Sequence, residues 1–279
     1  DVEYVHQLRV STRRAVEALR VFSDLIPKPA CQELRAKLRE VRLAADEARN
    51  LDVLCSEFLR CADASCEDTC RQIAAAITDR RKSAQQPIIA VHERLLTEKF
   101  PEQIEAILNG VKSGDDGMSK RSYGRQAPRY LKPVLKKFFK ASDADLSDDE
   151  ALHTLRIQTK KLRYTMELVE VAFKPCFRKK LYVQISALQD VMGAMNEHAT
   201  AKTVFSNWIA NTDDVQQEAF FRGILLAEMK AHEDLRHVRP WRGNQPRAGD
   251  GAWREGLLRE TLRCGRPDRR DRKRRHRTG

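Results

Sequence analysis

The chain's 279 residues, 33% charged and 41% hydrophobic, suffice for one large or two small domains with a real core. No apolar run nears the roughly 20 residues that span a bilayer as a helix, and no signal-peptide core opens the chain, so it reads as a non-membrane, cytoplasmic protein. The net charge of +12 sits at one end: residues 236–279 hold 15 Lys+Arg against 5 Asp+Glu, while the first 235 residues hold 37 against 35.

A period of 3.6 residues dominates, and period-2 alternation is absent, so the expected class is all-α. The first helix is expected from Val2 to Ile26, with Val5, Leu8, Val16, Leu19 and Phe22 on one face and Pro27-Lys28-Pro29 as its stop. A second runs from about Cys31 to Phe58, turning Leu34, Leu38, Val41, Ala45 and Ala48 inward. Helices follow at about 62–84 and 87–108. Residues 110–127, with Gly110, Gly114, Gly117 and Gly124, read as a linker. Further helices are expected at about 127–140, 149–173, 178–210 and 214–235, the acidic run after Ser147 favouring a helix start. Residues 236–279, rich in arginine, glycine and proline, read as a disordered basic tail. The opening residue, Asp1, leads us to expect missing residues upstream. Seven cysteines without a C-x-x-C pair read as free thiols, with neither a metal site nor a cofactor implied.

The chain matches itself at an offset of 147. Val5-His6-Gln7-Leu8-Arg9-Val10-Ser11-Thr12-Arg13-Arg14 lies over Leu152-His153-Thr154-Leu155-Arg156-Ile157-Gln158-Thr159-Lys160-Lys161. The same offset sets Leu34 over Leu181, Leu38 over Ile185 and Val41 over Leu188. A constant offset through two helices suggests two pseudo-symmetric antiparallel bundles: repeat one at about 1–109, repeat two at about 128–235. Beside the apolar face, His6, Arg9, Arg13 and Arg20 fall within roughly a 60° arc, and Arg35, Arg39, Arg42 and Arg49 within roughly 80° on the next helix. Like charges one turn apart cost helix stability, so unmixed stripes favour an anion site over an ordinary solvated face. Glu17 and Asp46 interrupt the stripes and suit internal counter-charges. His153, Arg156 and Lys160 repeat the spacing in the second half. Asp46 and Asp52, six residues apart, do not share a face and read as ion-pair members.

These residues resemble the CHAD family, the conserved-histidine α-helical domain. The likeness rests on His6-Gln7-Leu8-Arg9-Val10-x-Thr12-Arg13-Arg14 and Arg49-Asn50-Leu51-Asp52-Val53-Leu54. In the second half it rests on His153-x-Leu155-Arg156-x-x-x-Lys160-Lys161-Leu162-Arg163-Tyr164-x-x-Glu167 and Leu188-Gln189-Asp190-x-x-Gly193-x-x-Asn196. It covers about residues 1–235. The resemblance implies two helical bundles whose basic surfaces bind inorganic polyphosphate, and so a place beside polyphosphate granules.

The expected binding set is His6, Arg9, Arg13, Arg14, Arg20, Arg35, Arg39, Arg42 and Arg49, with His153, Arg156, Lys160, Lys161, Arg163, Lys179 and Lys180. Each of the two histidines suits either a donor to phosphate or a structural group bonded across the bundle. No convergent carboxylate set accompanies these cations, so binding without catalysis is expected. An RNA or DNA binder using the same stripes and the tail is the alternative, although few aromatics stand ready for base stacking. A structural interaction bundle is the third reading.

Overall fold

The computed structural model describes residues 2–61, 67–111, 123–213 and 215–237. Most of the glycine-rich linker, and all but the first residues of the basic tail, lie outside the described residues. Among those described there are helices and no strands, as the periodicity predicts. Ten α-helices follow one another: α1 (Val2–Val21), α2 (Lys28–Ala44), α3 (Asp46–Cys61), α4 (Glu67–Ser83), α5 (Gln86–Thr97), α6 (Phe100–Gly110), α7 (Tyr123–Ser142), α8 (Asp149–Val169), α9 (Val183–Ala210) and α10 (Val215–His237). None is long and apolar enough to cross a membrane.

Local chemistry sets most boundaries. Pro29 stands in the first turn of α2, where a missing amide hydrogen costs nothing. Asp148 caps α8 by accepting from the Ala151 amide at 2.9 Å, and Asp149 and Glu150 sit in the favourable first turn. Two expected helices are each broken in two. The expected helix over 31–58 divides at Ala45, which is fully buried and shares its amide between the Val41 and Arg42 carbonyls, both at 3.2 Å. Asp46 and Glu47 then open α3 as acidic first-turn residues. The expected helix over 87–108 divides at Lys99, whose φ of 54° is left-handed, just before Phe100-Pro101 starts α6. After α8, a short 3₁₀ turn (Glu170–Ala172) and one π-helical turn (Phe177–Tyr182) lead into α9.

Two compact units form. The first is Asp1–Val111 with Ala194–Val238; the described part of the second is residues 123–193. Repeat two was expected to run through 235 as one bundle, whereas its last stretch, from Ala194 onward, groups with the first unit. In that unit α1 packs on α2 and α3, and α3 on α4. Its main core joins Ala45, Ala48, Leu51, Leu54, Ile73 and Ile77 to Phe205, Phe221 and Ile224, with Trp208 edge-on to Phe205 at 5.7 Å. A smaller core holds Leu34, Leu95 and Phe100. In the second unit α7 packs on α8. Leu131, Phe138, Leu162, Val169, Phe177 and Ile185 are buried together there, and complete burial is worth roughly 1.5–3 kcal/mol per side chain.

Some positions 147 residues apart share their surroundings. Thr12 and Thr159 are both buried, and each donates its hydroxyl to the carbonyl four residues back, Leu8 at 2.9 Å and Leu155 at 2.8 Å. Leu34 and Leu181 are both buried, as are Ala48 and Met195. Cys31 and Cys55 are free thiols, but Cys176 is disulfide-bonded, against the expectation of free thiols throughout.

Candidate functional site

Three helices of the first unit bring guanidinium groups together. α1 supplies Arg9 and Arg13, α2 supplies Arg39 and Arg42, and α3 supplies Arg49. Arg9 is half-buried, and its pKa is pushed down to about 10, first by burial and then by the positive charges of Arg13, Arg42 and Arg49. Burial, then Arg13 and Arg39, likewise lower Arg42. Both remain cations at neutral pH. Cations that raise one another's energy in this way stabilise any anion placed among them.

Little negative charge answers them. Arg9 is ion-paired with Asp46 at the start of α3, as the sequence suggests for that carboxylate. Arg13, Arg39, Arg42 and Arg49 make no ion pair among the described residues. Among the described residues, five arginines thus face a single paired carboxylate. Arg20 stands apart: its Nε donates to Glu17 at 2.9 Å, and Glu17 is buried. Arg14 and Arg35 are exposed, and His6 is half-buried. Neither His6 nor His153 makes a hydrogen bond among the described residues.

The second-repeat residues have mixed surroundings. On α8, His153 is exposed, while Arg156, Lys160 and Lys161 are half-buried. Lys179 and Lys180 are exposed on the π-helical turn, and with Lys161 they make no ion pair among the described residues. Arg163 is committed to the protein. It lies 3.7 Å from Glu167 and stacks over the Tyr164 ring, 4.9 Å from its centroid. Tyr182 donates to the same Glu167 at 2.6 Å, and Arg178 covers the Tyr182 ring at 4.0 Å. Glu167 belongs to the motif, but its partner Tyr182 gave no signal of its own, being fifteen residues away on another element.

The other carboxylate singled out in the sequence, Asp52, is buried and receives Arg81 in a two-pronged contact at 2.6 and 3.2 Å, tying α3 to α4. Among the described residues, no three His, Cys, Asp or Glu side chains gather as a metal site.

No curated protein matches the chain. The crystal structure of the CHAD domain from the plant Ricinus communis is similar in fold, with a TM-score of 0.65 and 21% identity over 92% of this chain and 82% of that one. A family model described as the CHAD domain matches residues 1–206, which span all three arginine-bearing helices and the α8 motif; the chain belongs to the CHAD domain family.

Proposed function

We propose that the chain binds inorganic polyphosphate and does not cleave it, using the arginine cluster of α1, α2 and α3 and the basic face of α8. One observation carries this reading: Arg9, Arg13, Arg39, Arg42 and Arg49 converge with, among the described residues, only Asp46 paired to them. Each phosphate unit of such a chain carries about one negative charge with oxygens that accept in several directions. A guanidinium fork donates in pairs and holds its charge, which suits that ligand better than a point charge does. The resemblance to polyphosphate-binding CHAD domains points the same way. Asp46 and Glu17, the carboxylates that interrupt the two stripes, are occupied by Arg9 and Arg20 and so are poorly placed to activate water or hold a metal. A ligand of this kind suits a protein of the cytoplasm and of polyphosphate granules.

The test is a titration with long-chain polyphosphate against competing RNA at fixed salt, with Arg13→Gln/Arg42→Gln as the variant. Polyphosphate is expected to win, and each lost charged contact to weaken binding roughly tenfold or more. RNA displacing polyphosphate at equal phosphate concentration would overturn the reading, as would unchanged affinity in the folded variant. Release of phosphate above background with magnesium or manganese would overturn its non-catalytic part.

A further inference from the structure

Helix α7 carries Arg129, Lys132, Lys136, Lys137 and Lys140 on its exposed side. Ala127, Leu131, Val134, Leu135 and Phe138 are buried opposite. At about 100° per residue, Arg129, Lys132, Lys136 and Lys140 share roughly an 80° arc pointing away from the core. Between Tyr123 and Ser142 there is no Asp or Glu. None of the five cations makes an ion pair among the described residues. Several exposed cations elsewhere do: Arg80 pairs with Glu47 at 3.0 Å, Arg178 with Glu170 at 2.6 Å and Arg222 with Glu218 at 2.7 Å. Lys132 with Lys136, and Lys136 with Lys140, are like pairs one turn apart, which weakens the helix, and Pro133 removes an amide donor between them. The helix keeps this ladder against its own stability.

We propose that the outer face of α7 is a second track for inorganic polyphosphate, made of residues distinct from the arginine cluster; it rests on the polyphosphate reading above. Ammonium groups rising about 6 Å from i to i+4 suit an extended anionic chain laid along the helix. Apart from Pro133 the stripe exposes no apolar side chain, so nothing on it would enter a lipid surface. The neighbouring tyrosine hydroxyls are engaged, Tyr130 with Gln126 at 3.2 Å and Tyr123 with the Leu168 carbonyl at 3.0 Å, and no aromatic ring lies on the stripe to stack a base.

The experiment compares the full chain with Lys132→Gln/Lys136→Gln/Lys140→Gln and with the triple Lys→Arg variant, titrating long-chain polyphosphate and RNA at several salt concentrations. Neutralisation is expected to lower polyphosphate affinity about tenfold or more and to flatten the slope of log K against log salt by about two, at roughly 0.7 per lost contact. The arginine variant should bind as the parent does. Because like-charge repulsion is removed, the Gln variant's Tm should hold or rise, which separates lost binding from lost fold. Unchanged polyphosphate affinity and slope in a folded Gln variant would overturn the α7 track. If Arg13→Gln/Arg42→Gln still lost binding in that case, the arginine-cluster reading would stand. A loss confined to RNA would also overturn the track, and a parent chain that binds no polyphosphate would overturn both.

Discussion

A guanidinium already neutralised and packed by its own protein recruits a new anion poorly. Arg163 is in that position, with Glu167 3.7 Å away and the Tyr164 ring beneath it. Arg163→Ala is therefore expected to lower stability by roughly 1–3 kcal/mol in chemical denaturation while leaving polyphosphate affinity of the folded chain unchanged. Arg13 and Arg42 should behave oppositely, since removing either relieves repulsion and costs only binding. Spacing alone could not separate these residues. Arg163 continues the basic run of the motif, and its commitment depends on Tyr182, which donates to Glu167 from the π-helical turn. Local counter-charges were easier to read. Glu17 lies three residues before Arg20, and a helix brings such a pair together whatever the rest of the fold does. The α7 ladder was equally open to sequence reading, in the total absence of acid from residues 123–142, but it lies outside the repeated motif.

Between elements, buried polar pairs fix which helices meet. Asp52 on α3 has a side chain 2% exposed, against 13% for Arg81, so each charge depends on the other. Asp52→Ala would strand the arginine and is expected to cost roughly 3–5 kcal/mol of unfolding free energy, read from a denaturant midpoint. The pair of helices α9 and α10 carries one histidine, His232 on α10, whose charge depends on the fold. Burial, then Lys202 and His198, hold the His232 pKa below 6.5, while His198 meets the buried Glu228 at 2.5 Å. Between that depressed value and 6.5 the unfolded chain binds more protons at this ring than the folded one does, so stability rises with pH across the window. The thermal midpoint should fall between pH 7 and pH 5, and less in His232→Gln. The existence and order of these helices were plain from periodicity, because each buries one stripe. Their interruptions were harder to read. Pro101 suits the first turn of a new helix, where its missing amide hydrogen costs nothing, but the expected helix over 87–108 runs through it. Nothing in the run around Ala45 breaks a helix by propensity.

Charge is unevenly shared across the molecule. Residues 123–193 hold 14 basic against 8 acidic side chains, five of the eight lying within Asp143–Glu150. A chain ending at Leu235 is expected to keep most of its polyphosphate affinity in a filter-binding or calorimetric assay, since the arginine cluster and the α8 face both lie upstream. Loss of binding in that folded, shortened chain would move the site to the tail. Two basic faces on one polypeptide can be engaged by a single long ligand, the second contact gaining from effective concentration. Affinity should therefore climb with polyphosphate length and then level off, and pyrophosphate should bind far more weakly than long chains.

The first unit's core is assembled from both ends of the domain: Ala45, Leu51 and Ile77 come early, Phe205, Phe221 and Ile224 late. On the ribosome these partners are separated in time as well as in sequence. At about 5–20 residues per second, the stretch between Val111 and Phe221 takes about 5–20 s to emerge. Throughout that interval the nascent N-terminal helices hold an apolar face with nothing to close it, while residues 123–193, whose core is contiguous, can settle first. Vectorial synthesis thus runs against the numbering, so that the half made first is the half completed last, and its open face is where a holdase chaperone would bind.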